Sequence, residues 1–397
     1  MRWASAISTN DTLDQALAEC AISLGAQLGG AEPDLVTIFA APALDGQLMS
    51  LNTQVRPLFP NAIIVGCTGA GVIGAGMEME ATPAISITAA VLPGVALAPF
   101  HLSDDALPSP DAPPDDWGRA VGVEPGSDPH FILLADPFTM DSQALLAGLD
   151  YAFPAAAKIG GLASGGASVG AHTLYLNHEV HSSGAVGIAL SGNIVVDTVV
   201  AQGCRPIGKP MRVTGADRNM LLSADGRPPM ETLQEMFEHA DAGERDRIQR
   251  NLFMGIAMDP LLDSAQAGDF LIRNIVGADA ERGAITVGGL LNEGQLVQFH
   301  VRDADTSAED LRNALAGYLR EAGDRHAAAA LLFQCTGRGQ YLYGREGHDT
   351  DVFNEMIGAV PLGGFFCNGE IGPVAGTTYL HAYTSSFAIF RERMTAD

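Results

Sequence analysis

The sequence predicts a mixed α/β fold built from internally repeated strand–helix–strand units. Three observations carry this reading. Short, nearly continuous apolar runs rich in β-branched and aromatic residues recur along the chain. Runs of that kind mark strands covered on both faces. Each is followed by an amphipathic stretch and then a Gly-rich strand end, at a spacing of roughly 30 residues, which is the length of one such unit. The chain also holds 46 glycines and 22 prolines. That abundance suits tight turns and close backbone approaches, and it excludes long helical bundles. Helices are expected to cover the mixed sheets.

The first unit begins with LVTIFAA (Leu35–Ala41) and a helical stretch ending at Phe59-Pro60. It continues with IIVGCTGAGVIG (Ile63–Gly74) and closes with AISITAAV (Ala84–Val91). The second begins with FILLADP (Phe131–Pro137), a helix over Ser142–Tyr151, and Phe153-Pro154. KIGGLASGG (Lys158–Gly166) and GAVGIALSG (Gly184–Gly192) complete it. The third begins with AALLFQCTGRG (Ala329–Gly339), a helix over Asp351–Ile357, and Val360-Pro361. LGGFFCNGEIG (Leu362–Gly372) and LHAYTSSFAIF (Leu380–Phe390) close the series. Self-similarity at a fixed period signals a repeated supersecondary unit.

The intervening segments read differently. DDALPSPDAPPDDWG (Asp104–Gly118) is polar and proline-broken, so an exposed loop is expected. Met230–Leu252 reads as charged helix with a break at Gly243. Glu309–Ala322 places Leu311, Leu315, Tyr318 and Leu319 on one face, with Ser307 as its expected N-cap. CRPIGKP (Cys204–Pro210) ends a strand-like run and sets the domain boundary, giving domains over 1–204 and 205–397.

A chain of 397 residues suits two or three domains. Its 47% hydrophobic content excludes global disorder. Twenty-two basic residues against 47 acidic ones give a net charge of −25. Such a field repels phosphate backbones and anionic lipid, which argues against nucleic-acid partners and membrane-surface binding. No signal peptide is expected, because Asn10, Asp11 and Asp14 interrupt the start. Pro83, Pro93 and Pro99 break the most apolar segment, Ala81–Phe100, so no membrane insertion is expected. The cysteines Cys20, Cys67, Cys204, Cys335 and Cys367 are odd in number and lack metal spacing. They read as reduced thiols of a cytoplasmic protein.

Three segments occupy the turn after a buried strand: Gly66–Gly71, Gly160–Gly166 and Phe366–Gly372. Glycines there let backbone N–H groups point together at a ligand, and Cys67, Thr68, Cys367 and Asn368 add compact polar contacts. The structural alternative is tight strand packing. Cys335-Thr336-Gly337-Arg338-Gly339-Gln340-Tyr341 is sharper, because an arginine between glycines can present its fork to a carboxylate or phosphate. Its alternative is an ion pair with an internal acid such as Glu370. His172, His178 and His181 cluster in sequence but lack metal-ligand spacing and a third ligand. His381 opens the last apolar strand and reads first as a hydrogen-bonded histidine. Cys67 and Cys367 could act as nucleophiles, yet no base is evident. No catalytic motif appears, so a non-enzymatic role is expected.

IIVGCTGAGVIG, GGLASGG, GAVGIALSG, FQCTGRGQYLYG, PLGGFFCNGEIGPV and LHAYTSSFAIF together resemble the FIST family, the F-box and intracellular signal transduction proteins. The resemblance covers nearly the whole chain, with an N-terminal and a C-terminal FIST domain. It implies an intracellular sensory module for a small metabolite, amino-acid-like or carboxylate, signalling through a separate partner such as a histidine kinase. The expected ligand-binding residues are Cys67, Thr68, Cys335, Gly337, Arg338, Cys367, Asn368 and Glu370. An alternative implied by the resemblance is a haem-binding nitric-oxide sensor regulating a histidine kinase in trans, for which the candidate axial ligands in this sequence are His381, His178 or one of the cysteines. A Cys-dependent enzyme is a second alternative. The family's Gly-Glu-Ile ending is kept at Glu370 but is replaced by Gly71-Val72-Ile73 in the first unit.

Overall fold

Strand LVTIFA has no polar face to leave in water, and all six of its residues are buried. The same holds for AALLFQC and LGGFFC. This double burial explains why the strands read as continuous apolar runs. In the computed structural model, residues 1–393 are described apart from Asp45, Ala267 and Asp324. They divide into two compact units. One comprises Met1–Ala201, Arg312–Leu380 and the chain from Thr384 onward; the other comprises Gln202–Leu311 and His381–Tyr383.

The first unit is a threefold repeat. Its first copy runs β1 (Arg2–Ser8), α1 (Leu13–Gln27), β2 (Leu35–Ala40), α2 (Leu51–Val55), β3 (Ile63–Thr68), β4 (Gly71–Gly74), β5 (Met77–Glu80) and β6 (Ile85–Val91). The second runs β7 (Val95–Leu102), α3 (Pro114–Ala120), β8 (His130–Ala135), α4 (Ser142–Ala152), β9 (Lys158–Leu162), β10 (Leu174–Leu176), β11 (Glu179–His181) and β12 (Ala185–Gly192). The third copy starts at β13 (Val195–Ala201).

At that point the chain leaves for the second unit. There β14 (Arg205–Asp217), β15 (Met220–Ala224), β16 (Leu252–Ala257), β17 (Phe270–Asp279), β18 (Ala284–Val287) and β19 (Leu296–Val301) close a barrel, with α5 (Pro229–His239) and α6 (Ala242–Arg250) between β15 and β16. Ile207, Val213, Leu221, Met254, Ile285, Val297 and Phe299 fill its core. The third copy then resumes through α7 (Ala304–Ala322), β20 (Ala329–Cys335), α8 (Gly339–Tyr343), α9 (His348–Ile357), β21 (Leu362–Cys367), β22 (Glu370–Val374), β23 (Thr377–His381) and β24 (Ser385–Arg391).

Each copy supplies four strands to its own sheet, with β2 and β3, β8 and β9, and β20 and β21 parallel. Its hairpin goes to a neighbour. The three sheets therefore share one strand order: β1-β6-β2-β3-β10-β11, β7-β12-β8-β9-β22-β23 and β13-β24-β20-β21-β4-β5. Hairpin β4–β5 joins the third sheet, β10–β11 the first and β22–β23 the second. Phe39, Val65, Ile132, Val186, Phe333, Phe365 and Phe390, drawn from all three sheets, bury one another in a common core. Helices α1 and α2 cover the outside of the first sheet, and α3 and α4 that of the second. The mixed sheets with covering helices match the expected fold class.

Some local expectations change. The Asp104–Gly118 segment is not loop throughout, because α3 starts inside it. Pro114 opens that helix, Asp115 and Asp116 sit in its first turn, and both choices suit a helix N-terminus. Trp117 is buried and fills the space above Gly148 of α4, where a Cβ would lie 1.9 Å from its ring. The helical break falls at Ala240-Asp241, before Gly243, because the Asp241 carboxylate accepts the Glu244 N–H at 2.8 Å and caps α6. Helix α7 starts earlier than expected, and Asp303 accepts the Thr306 N–H at 2.8 Å. Ser307 instead is buried and donates to the Gly203 carbonyl at 2.6 Å.

Candidate ligand-binding site

The three Gly-rich turns meet and hydrogen-bond to one another. The Ser164 hydroxyl accepts the Ala70 N–H at 2.8 Å and donates to the Phe366 carbonyl. Ser164 N–H donates to Thr68 O at 3.1 Å, Leu162 N–H to Gly369 O at 2.8 Å and Asn368 N–H to Leu162 O at 3.1 Å. Thr68 Oγ1 accepts the Thr173 N–H at 3.2 Å, and the Asn368 amide donates to Ala163 O at 3.2 Å. Thr68 is buried, whereas Asn368 is exposed. These polar groups therefore knit the repeats together.

Cys67 and Cys367 are fully buried in the common core. Burial pushes both thiols well above the ordinary range, which leaves little thiolate for nucleophilic attack. Cys335 is buried at the end of β20, and its N–H donates to Thr384 O at 3.0 Å. Glu370 is buried at the start of β22, and its Oε2 accepts the Thr384 N–H at 3.1 Å.

The turn Thr336–Gly339 leaves the carboxyl end of β20. Gly337 is half-buried, while Arg338 points inward with no exposed surface. Its Nε donates to Asp349 Oδ2 at 2.7 Å, and an Nη donates to Oδ1 at 3.2 Å. The same guanidinium donates to the Tyr343 hydroxyl at 2.6 Å. Asp349, at the start of α9, is thus an internal acid for this arginine. Burial alone would raise the Asp349 pKa, but Arg338 and hydrogen bonds from His348, Arg338 and Ser385 hold it well below the usual range.

Two further carboxylates arrive on the exchanged strand β5. Glu78 is buried, accepts the Thr350 N–H at 2.9 Å, and is pushed up to about 7 by burial and by the Asp349 charge. Glu80 is raised chiefly by burial, and its Oε1 accepts the Gln340 N–H at 2.8 Å. Gly339 makes this possible. It adopts φ +60°, and a Cβ there would lie 2.3 Å from the Glu80 carboxylate.

A cleft of about 430 Å³ opens beside this cluster, lined by Glu80, Thr336, Gln340, Tyr341, Phe366 and the small residues Ala70, Gly71 and Ala81. Thr336 and Gln340 are exposed, and Tyr341 is 83% exposed. The cleft lies at the carboxyl ends of the parallel strands β20 and β21, where α/β sheets hold their ligands.

The histidines do not converge. His172 is buried, accepts the Gly166 N–H on Nε2 and so donates from Nδ1 to Asp136 at 2.9 Å. His181 stacks on His101 with ring centroids 3.8 Å apart. His178 is exposed in the turn between β10 and β11, and His381 is buried at the end of β23. Among the described residues, no cluster of three His, Cys, Asp or Glu is arranged to hold a metal. None of their helices is long and apolar enough to cross a membrane.

Sequence reasoning did not find Glu78, Glu80 or Asp349, and it gave no role to Tyr341 within the segment Cys335–Tyr341 that it singled out. The alternation in Met77-Glu78-Met79-Glu80 was the available signal, since two acids at i and i+2 share one face of a strand. Nothing in the sequence reports that this hairpin crosses to the third sheet.

The chain belongs to the FIST family: the FIST N domain matches residues 34–227 and the FIST C domain residues 229–373. FIST domains are sensory domains of signal transduction. An uncharacterized protein of Mycobacterium tuberculosis strain H37Rv is 35% identical over 392 residues, covering 98% of this chain and 100% of that protein. An uncharacterized protein of Mycobacterium bovis is 35% identical over 397 residues, covering 99% and 100%. Human F-box only protein 22 is 39% identical over 78 residues, which is 19% of this chain and 18% of that protein.

Proposed function

We propose that this chain is a non-enzymatic sensor that binds a small amino-acid-like metabolite, favoured over a plain carboxylate because the charged residue of the described lining is Glu80, in the cleft at Thr336–Tyr341, and signals through a separate partner such as a histidine kinase. The observation that carries the reading is the cleft itself, which has a volume of about 430 Å³. Small-molecule sites commonly occupy 300–1,000 Å³ and hold a few convergent polar groups. Arg338 is held by Asp349, so its part is to fix the turn, while Thr336 and Gln340 supply exposed polar contacts. Gly337 and Gly339 give the turn its shape. The ligand would favour one arrangement of the turn and α9, and a partner would read that difference.

The test is a thermal-shift and calorimetric screen of amino acids, amines and short dicarboxylates on the full chain. A binder should lose at least tenfold in affinity on Thr336→Ala or Gln340→Ala. Unchanged affinity across Thr336→Ala, Gln340→Ala and Tyr341→Leu would overturn the site. The haem alternative has weaker support. Among the described residues the cleft wall contains no histidine or cysteine, His178 is exposed in the turn between β10 and β11, and His381 is buried at the end of β23. A stoichiometric Soret band after haem addition would replace the metabolite reading.

A further inference from the structure

We infer that the cleft selects the cationic end of its ligand, an organic ammonium or guanidinium group, with Glu80 as counter-charge and the Tyr341 and Phe366 rings as wall. The inference rests on the cleft being the ligand site and names the chemistry that it reads.

Four observations converge on it. First, among the described residues the cleft lining contains one charged side chain, Glu80, and no Lys, Arg or His. A ligand carboxylate would meet like charge there, whereas an ammonium would meet its complement. Second, the residues behind the wall add no free positive charge. Glu78 and Asp349 are two further carboxylates, and the Arg338 guanidinium is bound to Asp349.

Third, the wall is aromatic. Tyr341 leaves 83% of its surface exposed, as no packing requirement would demand. Phe366 reaches the cleft past Gly71, where a Cβ would lie 2.8 Å from its ring. Ring faces beside a carboxylate attract cations. Fourth, the remaining lining at Ala70, Gly71 and Ala81 is small, so a flat or branched head group can approach the Glu80 oxygens.

Titration calorimetry on the full chain with putrescine, agmatine, 4-aminobutyrate and glutarate tests the idea. These probes share a short aliphatic skeleton and differ in terminal charge. Putrescine or agmatine should bind at least tenfold more tightly than glutarate. Glu80→Gln should remove at least tenfold of that affinity, while its amide oxygen can still accept the Gln340 N–H and keep the turn folded. Tyr341→Leu should weaken the same ligands several-fold.

Preferential binding of glutarate, no binding of either cation, or unchanged cation affinity in Glu80→Gln would overturn the charge class. Equal competition by Mg²⁺ would do so too, since it would reduce the effect to general counter-ion attraction. If glutarate binds and Tyr341→Leu or Gln340→Ala weakens it, the cleft stands and only the charge class falls. If no cleft substitution alters any probe, both readings fall.

Discussion

Arg338 and Asp349 form a two-pronged ion pair, at 2.7 and 3.2 Å, in which neither side chain has solvent exposure. The pair locks the turn after β20 onto the first residues of α9. Removing one partner leaves the other charge buried, which costs about 3–5 kcal/mol, whereas replacing both by apolar groups is often far less damaging. Arg338→Met and Asp349→Leu should each lower stability in urea unfolding by about that amount. The double variant should lose clearly less than the sum. Single variants as stable as the parent, or strict additivity, would show that the pair is not what holds the turn.

Glu78 makes stability depend on pH. Its folded pKa of about 7 lies above the ordinary 4.5. The folded chain therefore binds this proton more tightly than the unfolded chain does. The stabilisation is fully present below pH 4.5 and is lost as pH rises through 7. Its size is on the order of 3 kcal/mol at 1.36 kcal/mol per unit. Glu78→Gln should flatten this part of the curve and stabilise the protein at pH 8. The new amide can still accept from Thr350, and a flipped Gln334 amide can take its N–H, because Gln334 Oε1 has no partner among the described residues. Chemical denaturation at pH 5, 6, 7 and 8 measures the effect. Parallel curves for the two proteins would refute it.

Much of the architecture was legible because the physics was local. Leu35–Ala40, His130–Ala135 and Ala329–Cys335 carry β-prone apolar runs followed by helix and glycine, and each became the first parallel strand of its copy. The exchange of hairpins was not legible. Which sheet edge Met77–Glu80 pairs with depends on the third copy lying beside the first, not on any residue in the hairpin. The site failed to read for the same reason. Arg338 stood out by its flanking glycines, but Glu78 and Glu80 reach its turn from about 260 residues upstream, across a contact that only the assembled repeat creates. The first strand of the first copy was also missed, since WASAIS carries too few large apolar residues to announce itself, whereas the run before Cys204 read as strand-like and is β13.

The buried thiols make a separate prediction. Cys67 and Cys367 have no exposed surface, and burial raises both pKa values. Cys20 is pushed up to about 12, first by burial and then by Glu19. Only Cys204 is partly exposed. In the native protein near pH 8, iodoacetamide should label Cys204 first and leave Cys67 and Cys367 unmodified until the chain unfolds. Peptide mass mapping over time reads this directly. Rapid labelling of Cys67 or Cys367 would revive the nucleophile alternative.

The three copies also share a backbone constraint at Gly66, Gly160 and Gly364. Each lies opposite the parallel partner strand at Ile38, Leu133 and Leu332. A Cβ at these positions would sit 1.9, 1.8 and 1.9 Å from the partner's carbonyl oxygen. Gly160 and Gly364 also take φ values of +154° and +145°. A contact that short cannot be relieved by a rotamer change, because the obstacle is backbone. Alanine at any of the three should therefore force the parallel pair apart and cost several kcal/mol, in the range of severe overpacking and backbone strain. By contrast, Gly30→Ala or Gly122→Ala meets open space and pays only for its positive φ. Thermal unfolding of the five alanine variants should separate them into these two groups. Equal, mild losses in both would show that the threefold repeat does not depend on these close approaches.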